Sequence, residues 1–148
     1  MNYSPAKIIK EYLIDEGIVV DPEGSVDGWK IYLSNLPDGE NTDYDAVACM
    51  DTSPVKDGRI MKTGETIFHH GIQLLVRTSE YNDGYAKASE ILEALQVVDD
   101  VEITVGTDDF KINNVSPATG IVALGQEKGT KWREMFSLNF LVTLKEES

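Results

Sequence analysis

The sequence contains a single cysteine, Cys49, among 148 residues. A disulfide within the chain needs two thiols and a cysteine-built zinc cage needs more, so neither can staple this fold, and nothing points to an oxidising compartment. Histidine is almost as scarce, with only His69 and His70. Basic residues are few: 13 Lys and Arg stand against 26 Asp and Glu, for a formal net charge of −13. They are scattered singly, whereas holding phosphates requires them in clusters, so a specific grip on DNA or RNA is not expected. Long hydrophobic runs are also missing. No segment approaches the roughly 20 apolar residues of a membrane span, and "MNYSPAKIIKEYLIDEG" places acid where a signal peptide needs an apolar run. The expected setting is a reducing cytoplasm, away from membranes.

What is present suits one folded domain covering residues 1–148. A chain of this size buries roughly 70% of the surface it would expose when unfolded, and a 41% hydrophobic share argues against wholesale disorder. Ser4 as N-cap, Pro5 at the first helical position, and Ile8, Ile9, Tyr12 and Leu13 at helical spacing predict a first helix that stops at Gly17. The turn-rich "DPEGSVDG" leads into "WKIYLS", whose alternation predicts a half-buried strand, and "AVACMDT" predicts another. Ser53 to Glu65, "SPVKDGRIMKTGE", has Pro, two Gly and no periodicity, and reads as a long loop.

From Thr66 to Arg77 the chain alternates again. Phe68, His70, Ile72, Leu74 and Val76 share the expected core face, while His69, Gly71, Gln73, Leu75 and Arg77 share the other, solvent-directed one. A second helix starts after Thr78 or Ser79, with Tyr81, Tyr85, Ala88, Ile91, Leu92 and Leu95 as its apolar face. Gly84 within it marks either close packing or a tolerated flaw that costs about 1 kcal/mol. The remainder reads as β: "VEITVG", "FKINNV", "GIVALG" and a final "KWREMFSLNFLVTL". In the last, Trp132, Phe136, Leu138, Phe140, Val142 and Leu144 alternate against Arg133, Met135, Ser137, Asn139 and Thr143, as befits a strand in the middle of a sheet.

Chemistry finds little to work with. Adjacent histidines on a strand point to opposite faces and cannot share a metal ion, and no G-x-S-x-G, H-E-x-x-H or phosphate-binding glycine loop accompanies them. Asp108 and Asp109 in "GTDDF" lack calcium-loop spacing and read as a solvated turn. No cofactor is expected. Arg77, at the joint of strand and helix, and Arg133, on the polar face of the last strand, would make surface ion pairs worth about 0–1 kcal/mol, or else pair with carboxylates on an identical neighbour.

The order of helix, "WKIYLSNLP", "AVACMDT", "IQLLVRTSEYNDGYAKASEILEAL" and "GTKWREMFSLNFLVTL" resembles the tail-terminator proteins of tailed bacteriophages, also labelled minor capsid or tail-completion proteins. The resemblance is carried most by Arg77 with Tyr81 and Tyr85, and by the closing Arg133, Phe136, Asn139 and Phe140. It implies an α+β domain, a mixed or antiparallel sheet with two main helices packed on it, that assembles as a homo-oligomeric ring, a hexamer. Such a ring caps the tail tube, stops its polymerisation and presents a surface to the head connector or a head-completion protein. It implies no enzyme activity, and places the protein in the neck region of the virion after assembly in the host cytoplasm. DNA would pass without specific binding, which a wall of net charge −13 per chain favours. Expected contact residues are Arg59, Ile60 and Met61 on the long loop, with Arg77 and Arg133. Competing readings are another neck or head–tail joining protein, an unassigned α+β protein-binding module, and a small enzyme.

Overall fold

A computed structural model describes residues 2–24, 27–36, 45–59, 66–126 and 133–147. The chain runs α1 (Pro5–Asp15), β1 (Lys30–Leu33), β2 (Ala46–Arg59), β3 (Thr66–Thr78), α2 (Tyr81–Gln96), β4 (Asp99–Val105), β5 (Asp108–Pro117), β6 (Val122–Gln126) and β7 (Glu134–Glu147). The seven strands form one sheet in the order β1-β2-β3-β7-β5-β4, with β6 also paired to β7. Among the described strands only β1 and β2 run parallel, with an isolated parallel bridge from Val20 to Lys30, and the other strand pairings are antiparallel. The α+β class with a mixed sheet and two packed helices is therefore what the protein adopts.

Both helices lie on the same face, because every strand turns one set of apolar side chains that way. Val47 and Cys49 of β2, Ile72, Leu74 and Val76 of β3, and Phe136, Leu138, Phe140 and Val142 of β7 meet Ile8, Ile9 and Leu13 of α1 and Ala88, Ile91 and Leu95 of α2 in one buried core. Helix α1 begins as its sequence predicts: Ser4 Oγ accepts a hydrogen bond from Lys7 N at 3.2 Å, and Pro5 needs no donor at the first position. It ends at Gly17, whose φ of +75° is a conformation that favours glycine. Asp51 on β2 accepts from Ala6 N at 2.9 Å, satisfying another donor of the first turn and tying α1 to the sheet.

Strand β7 is central, flanked by β3 along Glu134 to Val142 and by β5 along Phe140 to Glu147. Its alternation places Phe136, Leu138, Phe140 and Val142 in the core as expected, with Leu144 partly buried beside them. Trp132, assigned to the same row, lies outside the described residues.

Two expectations fail here. The expected loop from Ser53 is largely strand: β2 continues to Arg59 and β3 begins at Thr66, forming an antiparallel ribbon with register shifts between Thr52 and Val55 and between Lys56 and Gly58. Bulges account for the lost periodicity, since each extra residue breaks the alternation that marks a strand. Pro54 falls inside the first bulge, on a stretch of β2 beyond the last β1 pairing at Cys49, where no donor is required of it. Gly71 is needed opposite: a Cβ there would stand 2.7 Å from Ser53 O and closer still to Thr52 Oγ1. Arg77 is the second failure. It is fully buried, and Arg133 is nearly so, at 6% exposure. Alternation assigns Arg77 to the face opposite the helices but says nothing about whether that face is covered.

Candidate functional site

The face turned away from the helices is chemically distinct. Register places Ala46, Ala48, Met50 and Thr52 of β2 beside Arg77, Leu75, Gln73 and Gly71 of β3, and these beside Met135, Ser137, Asn139 and Leu141 of β7. Gln73 Nε2 donates to Ser137 Oγ at 3.0 Å, and Asn139 Nδ2 reaches the same oxygen at 3.3 Å. Each such bond contributes about 1 kcal/mol net, and leaving a buried partner unmatched costs more than the bond contributes. At one end of this face His69 Nδ1 lies 3.0 Å from Thr143 Oγ1. His69 and His70 do point to opposite sides: His70 sits on the helix side, where burial lowers its pKa below the ordinary value and Asp51 partly opposes that shift.

The ribbon is the second feature. Pairing between β3 and β7 stops at His70, while pairing between β2 and β3 continues to Arg59 and Thr66. The outer part of this ribbon therefore extends past the last β3–β7 pair, and among the described strand pairings only its own β2–β3 ladder continues there. Of the expected contact residues, Arg59 ends β2 within this ribbon, and Ile60 and Met61 lie outside the described residues.

The start of α2 is the third. Thr78 Oγ1 accepts from Glu80 N at 3.1 Å and is within donating reach of Asp45 Oδ1 at 3.0 Å and of Glu80 O at 2.8 Å. Asp45 also accepts from Ser79 N at 3.3 Å. Glu80, not Thr78 or Ser79, is the N-cap, and its side chain makes no capping bond. Gly84 is there for close packing: an added Cβ would lie 2.9 Å from Phe136 Cε2 and nearer still to Thr78 Cγ2. That removes the tolerated-flaw alternative. Around this contact Tyr81 and Tyr85 stack edge-on against Phe136, with ring centroids at 4.9 and 6.1 Å, yet both remain about half exposed. They border the core; they are not inside it.

On the other flank of α2 a shallow cleft of about 290 Å³ is lined by Trp29, Asp45, Asp83, Ala86, Lys87 and Glu90. Lys87 Nζ crosses it, donating to Ile18 O at 2.9 Å and to Glu90 Oε2 at 3.2 Å while lying 5.8 Å from the Trp29 ring centre. This is a clamp on the chain between α1 and β1. Cys49 is buried with its thiol directed to Ala6 O at 3.4 Å, and burial, reinforced by Asp51, pushes its pKa far up, so it stays a protonated thiol. Asp108 and Asp109 open β5 after the Gly106–Thr107 turn, Asp109 accepting from Thr104 Oγ1 at 2.6 Å. Among the described residues no group of three or more His, Cys, Asp or Glu could hold a metal ion, and no helix is long and apolar enough to cross a membrane.

The chain belongs to the bacteriophage tail terminator protein family, which it matches over residues 12–145. Its role is accordingly that of a virion structural protein. Among solved structures it is similar to a chain in the virion of a native gene transfer agent particle, at 15% identity with a TM-score of 0.49, covering 79% of this chain and 78% of that one. Among curated proteins, none matches it.

Proposed function

We propose that the protein caps the end of the tail tube as a ring of identical subunits, six in number, which halts tube polymerisation and presents a surface to the head connector or head-completion protein. Membership of the tail terminator family carries this reading. Two features of the chain support it. The ribbon reaches beyond the sheet without closing on its own β7, as an arm that engages a neighbour does. A net charge of −13 on each copy lines any channel with repulsion for phosphate, so DNA slides without being held.

In this arrangement Arg59, Ile60 and Met61 contact a neighbouring subunit or the tube. Arg77 and Arg133, both buried, act behind the surface by fixing the end of the sheet where β3 passes to α2. The finished protein sits in the neck of the virion, having assembled in the host cytoplasm. Negative-stain electron microscopy and sedimentation of the purified protein, alone and with tail tubes, test the reading. Rings at tube ends and arrest of tube growth are expected. Tubes that elongate past the bound protein would overturn it.

A further inference from the structure

Backbone N–H and C=O groups along the outer side of an edge strand invite another strand, so folded proteins cover or charge such edges. Strand β4, at one end of the sheet order, is charged by exposed Asp99, Asp100 and Glu102. Strand β1, at the other end, is not. Across residues 29–33 the sequence WKIYL contains no acidic residue and a single lysine. In a chain of net charge −13, two copies therefore repel one another less at this edge than at β4.

What covers β1 is the chain's own segment between α1 and β1. Val20 N donates to Trp29 O at 2.8 Å and Val20 O accepts from Ile31 N at 3.1 Å, a parallel bridge one residue long. Gly28 makes room for it: a Cβ there would stand 3.3 Å from Val20 Cγ1. Beside that bridge the hold comes from side chains. Val19 is buried in the core, and Ile18 O accepts from Lys87 Nζ at 2.9 Å. The same ammonium lies 5.8 Å from the centre of the Trp29 ring and 3.2 Å from Glu90 Oε2, and only 13% of the Lys87 side chain is exposed. One lysine of α2 thus fastens both the covering segment, through Ile18, and the start of the strand it covers, through Trp29. A charge-assisted bond of this kind is stronger than a neutral one, and its loss leaves the Ile18 carbonyl unmatched.

We propose that residues 18–20 form a strap that closes the β1 edge, that Lys87 is its latch, and that opening it lets two copies of the chain join through β1. A one-residue bridge supplies two backbone bonds, fewer than the ladder a paired strand would form. The strap therefore resists an incoming strand only while its side chains hold it in place. The joining is antiparallel, β1 against β1, because the same surface on both copies closes as a two-fold dimer and goes no further. The strap keeps this edge out of subunit contacts, wherever the contacts of the ring lie.

Native-state hydrogen exchange and sedimentation of the full chain test this. In Lys87→Met, which keeps an apolar stem and removes the charge, the Val20 and Ile31 amides should exchange about tenfold faster than in wild type, while those of Leu74 and Val76 in the middle of the sheet keep their rates. Lys87→Arg should retain most of the protection, since a guanidinium also donates and stacks on an aromatic ring. Lys87→Met should also form a concentration-dependent dimer absent from wild type, and adding Leu33→Lys, which charges the β1 edge, should abolish it. Exchange at Val20 and Ile31 that is unchanged in Lys87→Met, or that rises only in step with Leu74, would overturn the latch. Fast exchange without a new association, or with one that Leu33→Lys leaves intact, would overturn the guarding of β1. Neither result bears on the ring reading, which is tested on wild-type protein at tube ends.

Discussion

The two faces of the sheet are built by the same strands and obey different rules. On the helix side, Val47, Leu74, Val76, Phe136, Leu138 and Phe140 are buried with no polar atom to satisfy, and shape alone holds them. On the far side, Gln73, Ser137 and Asn139 are joined by directional bonds, and Arg77 is buried beside small neighbours such as Ala46. The contrast separates folding from assembly. An apolar face fixes the subunit, and a polar face specifies geometry without adding sticky surface. Val122 and Leu124 of β6, with Tyr81 and Tyr85, are among the large apolar side chains that this division leaves exposed.

The division breaks most sharply at Leu74. Leu74→Ala removes a fully buried side chain from the middle of the core and should cost about 2–5 kcal/mol, read as a lower urea midpoint at unchanged slope. Assembly should fail only to the extent that the subunit unfolds.

Arg77 sharpens the same comparison from the other side. As an exposed arginine it would be neutral to folding; as a buried group bound within its own chain, its loss leaves partners unmatched. Arg77→Ala should therefore destabilise the subunit by about 1–3 kcal/mol. A variant that melts within a degree of wild type would show that burial overstates its part in the fold. Gly84→Ala belongs to the same range: the methyl group must displace Phe136 or Thr78, and overpacking of this kind costs about 1–3 kcal/mol. It should also disturb Tyr81 and Tyr85, visible in near-ultraviolet circular dichroism.

These cases show what was legible in the sequence. Helix α1, the even face of β3 and the long central β7 were legible because period and capping are local properties: Ser4, Pro5 and Gly17 each act within one turn. The ribbon was not, since Pro54 and the bulges erase alternation, and only pairing with a distant strand restores a strand there. Arg77 and Tyr81 fail in opposite senses. Alternation placed Arg77 on the correct face yet could not tell that the face is covered, and helical spacing put Tyr81 and Tyr85 in the apolar stripe although they lie at its margin. Tyrosine suits a margin, with an apolar ring and a polar tip.

A smaller effect is expected from the far face. Ser137→Ala removes the oxygen that Gln73 and Asn139 share, and should cost about 0.5–1.5 kcal/mol. If this face specifies geometry, Ser137→Ala should alter the uniformity of rings seen by microscopy more than the melting temperature.

The smallest effect concerns His70 and depends on pH. Burial on the helix side holds its pKa below the ordinary value, with the charge of His69 adding to the depression and Asp51 opposing it. The unfolded chain then binds the proton more readily than the folded one. Stability consequently rises with pH wherever the unfolded form is more protonated, and falls as pH drops through the unfolded value near 6.5 toward the lower folded one. His70→Gln should flatten this part of the profile between about pH 7 and 5, whereas His69→Gln, which affects His70 only through a weaker charge term, should leave most of the slope. Thermal melts at a series of pH values, compared with wild type, check both. A slope that persists in His70→Gln would show that His70 is not the group behind the acid sensitivity.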